Sequence, residues 1–264
     1  MGQRSSQELF ATAWDEAADG YELYFVPRFA PWVTLAVEAL VVEDLPPGPI
    51  VAPCCGTAPE LVLARQRLPG RPLVGIDLSA RMIALAEERL AGEAEVRLLI
   101  GDAAQTAGWP QAAALVSCFG LQQLPSPAEA LEAWTASLAP GGVLSVMFWP
   151  PEVEHEGPFA WVREAITALA GPAPAATWED QLREAVISGG GALVRDEVCR
   201  WQMRHDDAAT FWTAITQSGP MRALLNAYGD AFMEGVRARF MRLAPAGPLV
   251  HQPGGRHIVA VKGA

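Results

Sequence analysis

Between residues 49 and 149 the chain alternates short apolar runs with longer stretches of helical spacing, and that rhythm leaves few folds open. PIVAPC, PLVGID, EVRLLI, AALVSC and VLSVMFW are of strand length. Their apolar character is nearly continuous, as in strands covered on both faces. Between them lie APELVLARQRL, SARMIALAEERLAG and SPAEALEAWTASLA, which repeat apolar residues at helical spacing. Ser79 is placed to cap one of these helices and Gly92 to follow its end. Such alternation predicts an α/β fold, a doubly wound, Rossmann-like parallel sheet.

The flanks read differently. Residues 6–43 have helical spacing, with Pro31 at a helix start, until DLPPGP breaks the pattern. After Trp149, residues 157–187 read as helical and 191–204 as a long alternating strand. Residues 207–243 are helical again, with a break at Gly219-Pro220, and GRHIVAVKG closes the chain as a strand. The expected organisation is an N-terminal helical segment (1–45), a ligand-binding core (46–150) and a remainder (151–264) that completes the sheet and carries a helical insertion at about 206–245.

Composition narrows the function classes. The net charge of −11 repels phosphate backbones, so nucleic acid is not expected as a partner. No basic amphipathic run points to a membrane surface, and the apolar runs are too short to span one. MGQRSSQELF lacks the apolar centre of a secretion signal, so the expected location is cytoplasmic. The richness in Ala, Gly and Pro suggests a bacterial source. Cysteines at 54, 55, 118 and 199 include no C-x-x-C pair. They read as buried reduced thiols, and no metal site is expected. Oligomeric state is not legible in the sequence.

The first strand leads into CCGTAPEL. Thr57 and Glu60 have the spacing of a capping box, with Pro59 in the first turn, so a helix is expected to begin just after Gly56. Its free N–H groups would face the turn, a geometry that receives ligands. The second strand ends in Asp77, where a carboxylate can accept from ribose hydroxyls, and the third is followed by Gly101-Asp102-Ala103. Three strands thus place Gly56, Asp77 and Asp102 along one carboxyl edge, the edge at which open α/β sheets bind ligands.

With these residues in place, the chain resembles the class I S-adenosylmethionine-dependent methyltransferases, in particular the small-molecule enzymes of the ubiquinone-biosynthesis type and their natural-product relatives. GIDLSARMIALAEERL, GDA and VSCFGLQQLPSPAEALEAWTASLAPGGVL match successive family blocks. The resemblance implies a seven-stranded sheet whose last strand, GRHIVAVKG, is antiparallel, and helices that cover a substrate. It implies S-adenosylmethionine as cofactor, held by Ala52, Cys54, Gly56 and Thr57 of the turn, by Asp77, Leu78 and Met82, by Asp102 and Ala103, and by Ser117. The departure lies in the turn. The family's first block is an acid, one residue and then G-x-G-x-G; here Ala52 replaces the acid, Cys54 the first glycine and Ala58 the last. Losing one charge-assisted contact costs roughly 1.5–3 kcal/mol, which weakens binding without abolishing it.

Methyl transfer from a sulfonium is an in-line displacement with a neutral leaving group, so positioning supplies much of the rate. A base serves only an acceptor that must lose a proton. His155 in the acidic loop after the fifth strand, His251 before the last strand, and Tyr24 in the N-terminal helices are the candidates for substrate chemistry. His205 and His257 are assigned to strands. Where the family often carries a His pair, this chain has Gln122-Gln123, which cannot act as bases. Nine tryptophans suit an aromatic or polyketide-like acceptor, and O-methylation is the first expectation. A fold that binds the cofactor weakly and works as a cyclase or isomerase is the alternative, and a non-enzymatic binding protein is a third class.

Overall fold

The computed structural model describes residues 5–106, 108–109, 111–173 and 176–263. The chain forms two compact units, each assembled from separate segments. One takes residues 30–150, 176–199 and 255–264; the other takes 1–29, 151–175 and 200–254.

The first unit is the doubly wound sheet. Its strands are β1 (Ile50–Pro53), β2 (Leu73–Asp77), β3 (Val96–Ile100), β4 (Ala112–Cys118), β5 (Leu138–Phe148), β6 (Gly191–Arg200) and β9 (Gly254–Lys262), in spatial order 3-2-1-4-5-9-6. Pairings among β1 to β5 are parallel, and β9 joins β5 antiparallel, with Ser145 opposite Val259. The order reverses between β1 and β4, which creates the crevice used for ligands in this class. β1 and all but the last residue of β4 are buried, as their continuous apolar runs require. Helices α2 (Pro59–Arg67), α3 (Ala80–Arg89), α4 (Pro127–Ala136) and α6 (Leu182–Ser188) complete the crossovers and edge. One core cluster joins Leu115, Leu131, Trp134, Leu144, Phe148, Leu182 and Ile258.

The second unit is largely helical. It contains α5 (Pro158–Ala170), α7 (Ala208–Ile215), α8 (Gly219–Leu243) and the antiparallel pair β7 (Met203–His205) and β8 (Leu249–His251). Its core is built on Phe211, Trp212, Met233, Val236, Phe240 and Leu249.

Several boundaries differ from the sequence expectation, each for a physical reason. Residues 6–38 form one 33-residue helix, α1, rather than a pair restarted at Pro31. Phe25, Phe29, Trp32, Val33, Ala36 and Val37 are all buried along it. That continuous apolar stripe outweighs the one ladder bond each internal proline removes. The expected strand 191–204 stops at Arg200, and Met203–His205 pairs with β8 in a separate sheet. The helical reading of 157–187 breaks at Gly171, whose φ is 83°. Helix α8 begins at Gly219 with Pro220 in its first turn, and its kink falls at Gly229, φ 78°. Pro140-Gly141-Gly142 belongs to the start of β5, where the register slips between Ala112/Leu138 and Ala114/Val143. Among the described residues no helix is long and apolar enough to cross a membrane.

Candidate cofactor edge and a buried hydrogen-bonded chain

The turn after β1 keeps a glycine-type backbone without the glycines. Cys54, Gly56 and Ala58 have φ of 54°, 50° and 60°, alternate residues in the left-handed region. These are the positions of the G-x-G-x-G pattern, two of them filled by residues with a Cβ. Each non-glycine there costs about 1 kcal/mol of strain. Strain persists only where surrounding contacts over-determine it, and Asp77 supplies them. Its Oδ2 accepts from the Gly56 N–H at 2.8 Å and its Oδ1 from the Ser79 N–H at 2.9 Å. One carboxylate at the end of β2 therefore ties the turn to the start of α3.

The Cys54 side chain has its own accommodation. A Cβ at Gly120 would collide with Cys54 Cβ and lie 3.0 Å from Cys54 Sγ. The missing side chain at 120 is thus the space that the replaced glycine at 54 now fills. Burial, together with the charges of Asp77, Asp102 and Glu60, pushes the Cys54 thiol well up, so it stays protonated and is not a nucleophile.

Helix α2 starts one residue later than the capping-box spacing implies. Helix α2 is capped by Ala58 in the left-handed conformation, without a side-chain bond. Thr57 and Glu60 are both buried, each 2% exposed. Glu60 faces the interior, where burial pushes its carboxyl up to about 7 against hydrogen bonds from its own backbone and from Cys118. Its Oε2 has no partner among the described residues.

The other residues expected at the cofactor lie on neighbouring elements. Ser79 caps α3, accepting from the Met82 N–H at 3.1 Å, and Met82 Sδ lies 3.9 Å from where a Gly56 Cβ would stand. Leu78 is half-buried beside Asp77. Ala52 is fully buried on β1, opposite Gly75. After β3, Asp102 accepts from the Ala104 N–H at 2.9 Å and from Gln105 Nε2 at 3.2 Å, while the Ala103 carbonyl accepts from Trp134 Nε1 at 2.7 Å. Ser117, 1% exposed, donates to the Pro53 carbonyl at 2.8 Å, so its hydroxyl braces β4 against β1. These residues fit an adenosyl cofactor. The cradle at Gly56 is open to all but Met82, and Asp77 and Asp102 stand at and just beyond the carboxyl ends of β2 and β3.

An aromatic group follows the carboxyl ends of β4 and β5. Phe119 (φ 62°) stacks on Trp149 with centroids 4.3 Å apart, and Trp32 sits edge-on to Trp149 at 5.5 Å. Trp178 packs on Phe148 and Trp212 on Phe240, as core.

The substrate-chemistry candidates separate. His155 is exposed and meets Glu152 at 2.9 Å. Tyr24 and His251 belong to one chain of hydrogen bonds through two residues the sequence reading did not propose for chemistry. Tyr24 Oη meets His205 Nδ1 at 2.8 Å, His205 Nε2 meets His251 Nε2 at 2.9 Å, and His251 Nδ1 meets Glu154 Oε2 at 2.7 Å. Glu154 Oε1 accepts from the Phe159 N–H at the start of α5, at 2.8 Å. His205, His251 and Glu154 are 0%, 7% and 5% exposed. Burial drives the His205 imidazole down to about 3, with Arg28 and His251 adding to the effect. His205 and His251 meet because β7 and β8 pair with Met203 opposite His251, which puts His205 on the adjacent diagonal. Neither three-residue strand announces its partner in the sequence.

His257 packs in the sheet, bonded to Ser145 Oγ at 2.9 Å, and burial lowers its imidazole to about 4. Ligand-type atoms of Glu197, Cys199 and His257 lie within 4.8 Å of one another, a trio the sequence reading did not foresee.

Comparison with known proteins agrees with this geometry. Residues 50–142 match the family model described as a methyltransferase domain. The trans-aconitate 2-methyltransferase of Sinorhizobium fredii is 39% identical over 108 residues, 40% of each chain. The chain therefore spans two fifths of the length of that curated relative. Among solved structures, the cyclase SpnF is 18% identical with a TM-score of 0.53, covering 89% of this chain and 80% of its own. Geranyl diphosphate methyltransferase, solved in complex with GPP and sinefungin, is 15% identical with a TM-score of 0.52, covering 88% of this chain and 77% of its own. At such identities the two structures share the fold.

Proposed function

We propose, on the premise that residues 50–142 are a class I methyltransferase domain, that this chain is an S-adenosylmethionine-dependent methyltransferase acting on a small molecule. The observation that carries the reading is the Asp77 carboxylate holding the Gly56 and Ser79 N–H groups while the turn keeps three left-handed residues. A chain with no use for the turn would relax residues 54 and 58 into ordinary backbone. Asp77 would hold the ribose, Met82 would pack on adenine and Asp102 would face its amino group, with Leu78 and Ala103 beside them. Ala52, Cys54, Gly56, Thr57 and Ser117 shape the turn and its floor. The cofactor supplies an activated methyl group on a sulfonium; the residues of this chain bind it, orient it and exclude water.

For the acceptor, Trp32, Phe119 and Trp149 support a flat or apolar molecule, and O-methylation is the transfer proposed first. The curated relatives are named for trans-aconitate, a competing acceptor class. The test is transfer of labelled methyl from S-adenosylmethionine to a panel of phenols, aliphatic alcohols and trans-aconitate. Labelled product with a hydroxyl acceptor is expected; none with any acceptor overturns the reading.

A second reading follows from Ala52, Cys54 and Ala58 standing where the family has an acid and two glycines. A protein so altered could hold the cofactor weakly and act as a cyclase or isomerase. Tight binding without turnover, together with isomerisation of an unmethylated precursor, would favour it.

A further inference from the structure

We propose that Glu197, Cys199 and His257 form a binding site for one divalent ion of the zinc class, which clasps strand β6 to β9. In the strand order these two stand at the end of the sheet away from β1, β2 and β3. The site is therefore separate from the cofactor edge and does not depend on the methyl-transfer reading. No C-x-x-C pair announces it, because its ligands come from two strands that meet only in the fold.

The strands bring the three residues together. Glu197 and Cys199 are two residues apart on β6, so their side chains point to one face of the sheet. His257 enters from β9, the neighbouring strand. One ligand-type atom from each residue lies within 4.8 Å of the other two. A tetrahedral zinc ion holds sulfur, nitrogen and oxygen ligands about 3.4–3.6 Å apart. The remaining closure is within the reach of side-chain rotation, most easily at the exposed Glu197.

A second observation, at His257, points to a ligand. The residue is fully buried, and its Nε2 meets Ser145 Oγ at 2.9 Å. Its Nδ1 is buried too and has no hydrogen-bond partner among the described residues. Native interiors rarely leave such an atom unpaired, because its desolvation goes uncompensated. With Nε2 engaged on β5, Nδ1 is the nitrogen left for the ion. Nε2–H then donates to Ser145 Oγ, which fixes the tautomer and leaves a lone pair on Nδ1. This is how a metal-bound imidazole is ordinarily held, by an oxygen on its far nitrogen. Burial, with the Arg195 charge adding to it, lowers the ring to about 4, so it is neutral and able to ligate.

The charges match the ion. Cys199 Sγ lies 3.9 Å from Glu197 Oε1, with the thiol proton directed to the carboxylate. The ion replaces that proton. The S–H bond breaks, a metal–sulfur bond forms and the proton leaves to solvent. Thiolate and carboxylate then carry two negative charges against the two positive charges of the ion, and the imidazole adds none. Arg195, on the same face of β6, meets Glu197 at 3.4 Å and competes for it. Exposed pairs of this kind contribute little, so the ion displaces it readily. Trp32 Nε1 donates to the Cys199 carbonyl at 3.0 Å and fixes the strand there. Sulfur, imidazole and one carboxylate select zinc or its neighbours over magnesium and calcium, which take oxygen ligands. The exposed Glu197 side is the way in, and water completes the fourth position.

Cobalt(II) and zinc, added to the reduced protein, are the probes. Cobalt is expected to bind at one equivalent with a thiolate-to-metal charge-transfer absorption, which zinc abolishes by displacement. That absorption should be lost in Cys199→Ser. Glu197→Gln removes a ligand at an exposed position, and Ser145→Ala removes the support of His257. Each should weaken zinc about tenfold or more in competition with a chelator, while thermal melts report on folding. Zinc at a hundredfold excess over its Kd should raise the wild-type midpoint by about 5–10 °C and leave Cys199→Ser unmoved. Reduced wild type without the thiolate absorption, or an absorption that survives in Cys199→Ser, overturns the site. So does an unchanged zinc affinity in either Glu197→Gln or Ser145→Ala. Neither result bears on S-adenosylmethionine binding, which is measured separately.

Discussion

At the scale of single residues, the turn after β1 shows how a motif can lose its letters and keep its shape. Glycine is normally read as the cause of a left-handed backbone, yet here Cys54 and Ala58 adopt it because hydrogen bonds and packing hold them there. The strain is testable at Ala58, which also caps α2 without a side-chain bond. Replacing Ala58 with glycine relieves the left-handed penalty and supplies a better cap residue, against a smaller entropy cost in the unfolded chain. Ala58→Gly is expected to raise stability by about 0.5–1 kcal/mol in urea denaturation. A loss of stability would show that the alanine methyl contributes packing that outweighs its strain. The places of Asp77 at the end of β2 and Asp102 just after β3, and the Ser79 cap, were legible because each lies at a fixed offset from a strand end. The left-handed Ala58 at the start of α2 was not legible, because spacing does not report backbone handedness. Glu154 and His205 were missed because each gains meaning only from a partner 97 or 46 residues away.

At the scale of elements, continuous apolar strands and helical spacing made β1 to β4 and α2 to α4 readable to within a few residues, while β5 starts at Leu138, ahead of the run VLSVMFW. Where tertiary burial overrides a local signal, the reading failed, as at the prolines of α1. Helix α8 shows the opposite case, a local signal that does act. Its bend lies at Gly229, where φ is 78° and a Cβ would meet nothing within 4 Å. The residue is needed for conformation alone. Gly229→Ala should therefore cost about 1–2 kcal/mol, seen as a lower thermal midpoint. An unchanged midpoint would mean that the two halves of α8 tolerate a straight helix.

At the scale of the whole molecule, three buried groups make stability depend on pH in opposed directions. The Glu60 carboxyl rises from 4.5 to about 7 on folding. As pH climbs between those values the unfolded chain gives up that proton first, so stability falls, and the loss is complete above about 7. His205 and His257 fall from 6.5 to about 3 and about 4. As pH drops below 6.5 the unfolded chain takes protons that the folded one refuses, so stability falls in that direction. Glu60→Gln removes the first effect and leaves the others. Its stability relative to wild type should be about 1–3 kcal/mol higher at pH 8 than at pH 5. Equal differences at the two pH values would show that Glu60 is ionised in the folded protein.

The account turns on Asp77 and the turn it holds. Titration calorimetry of the protein with S-adenosylhomocysteine tests that most directly. Saturable binding is expected, weakened at least tenfold in Asp77→Ala, whose thermal melt reports separately on folding. Wild-type protein that binds none, or a folded Asp77→Ala that binds equally well, would contradict it.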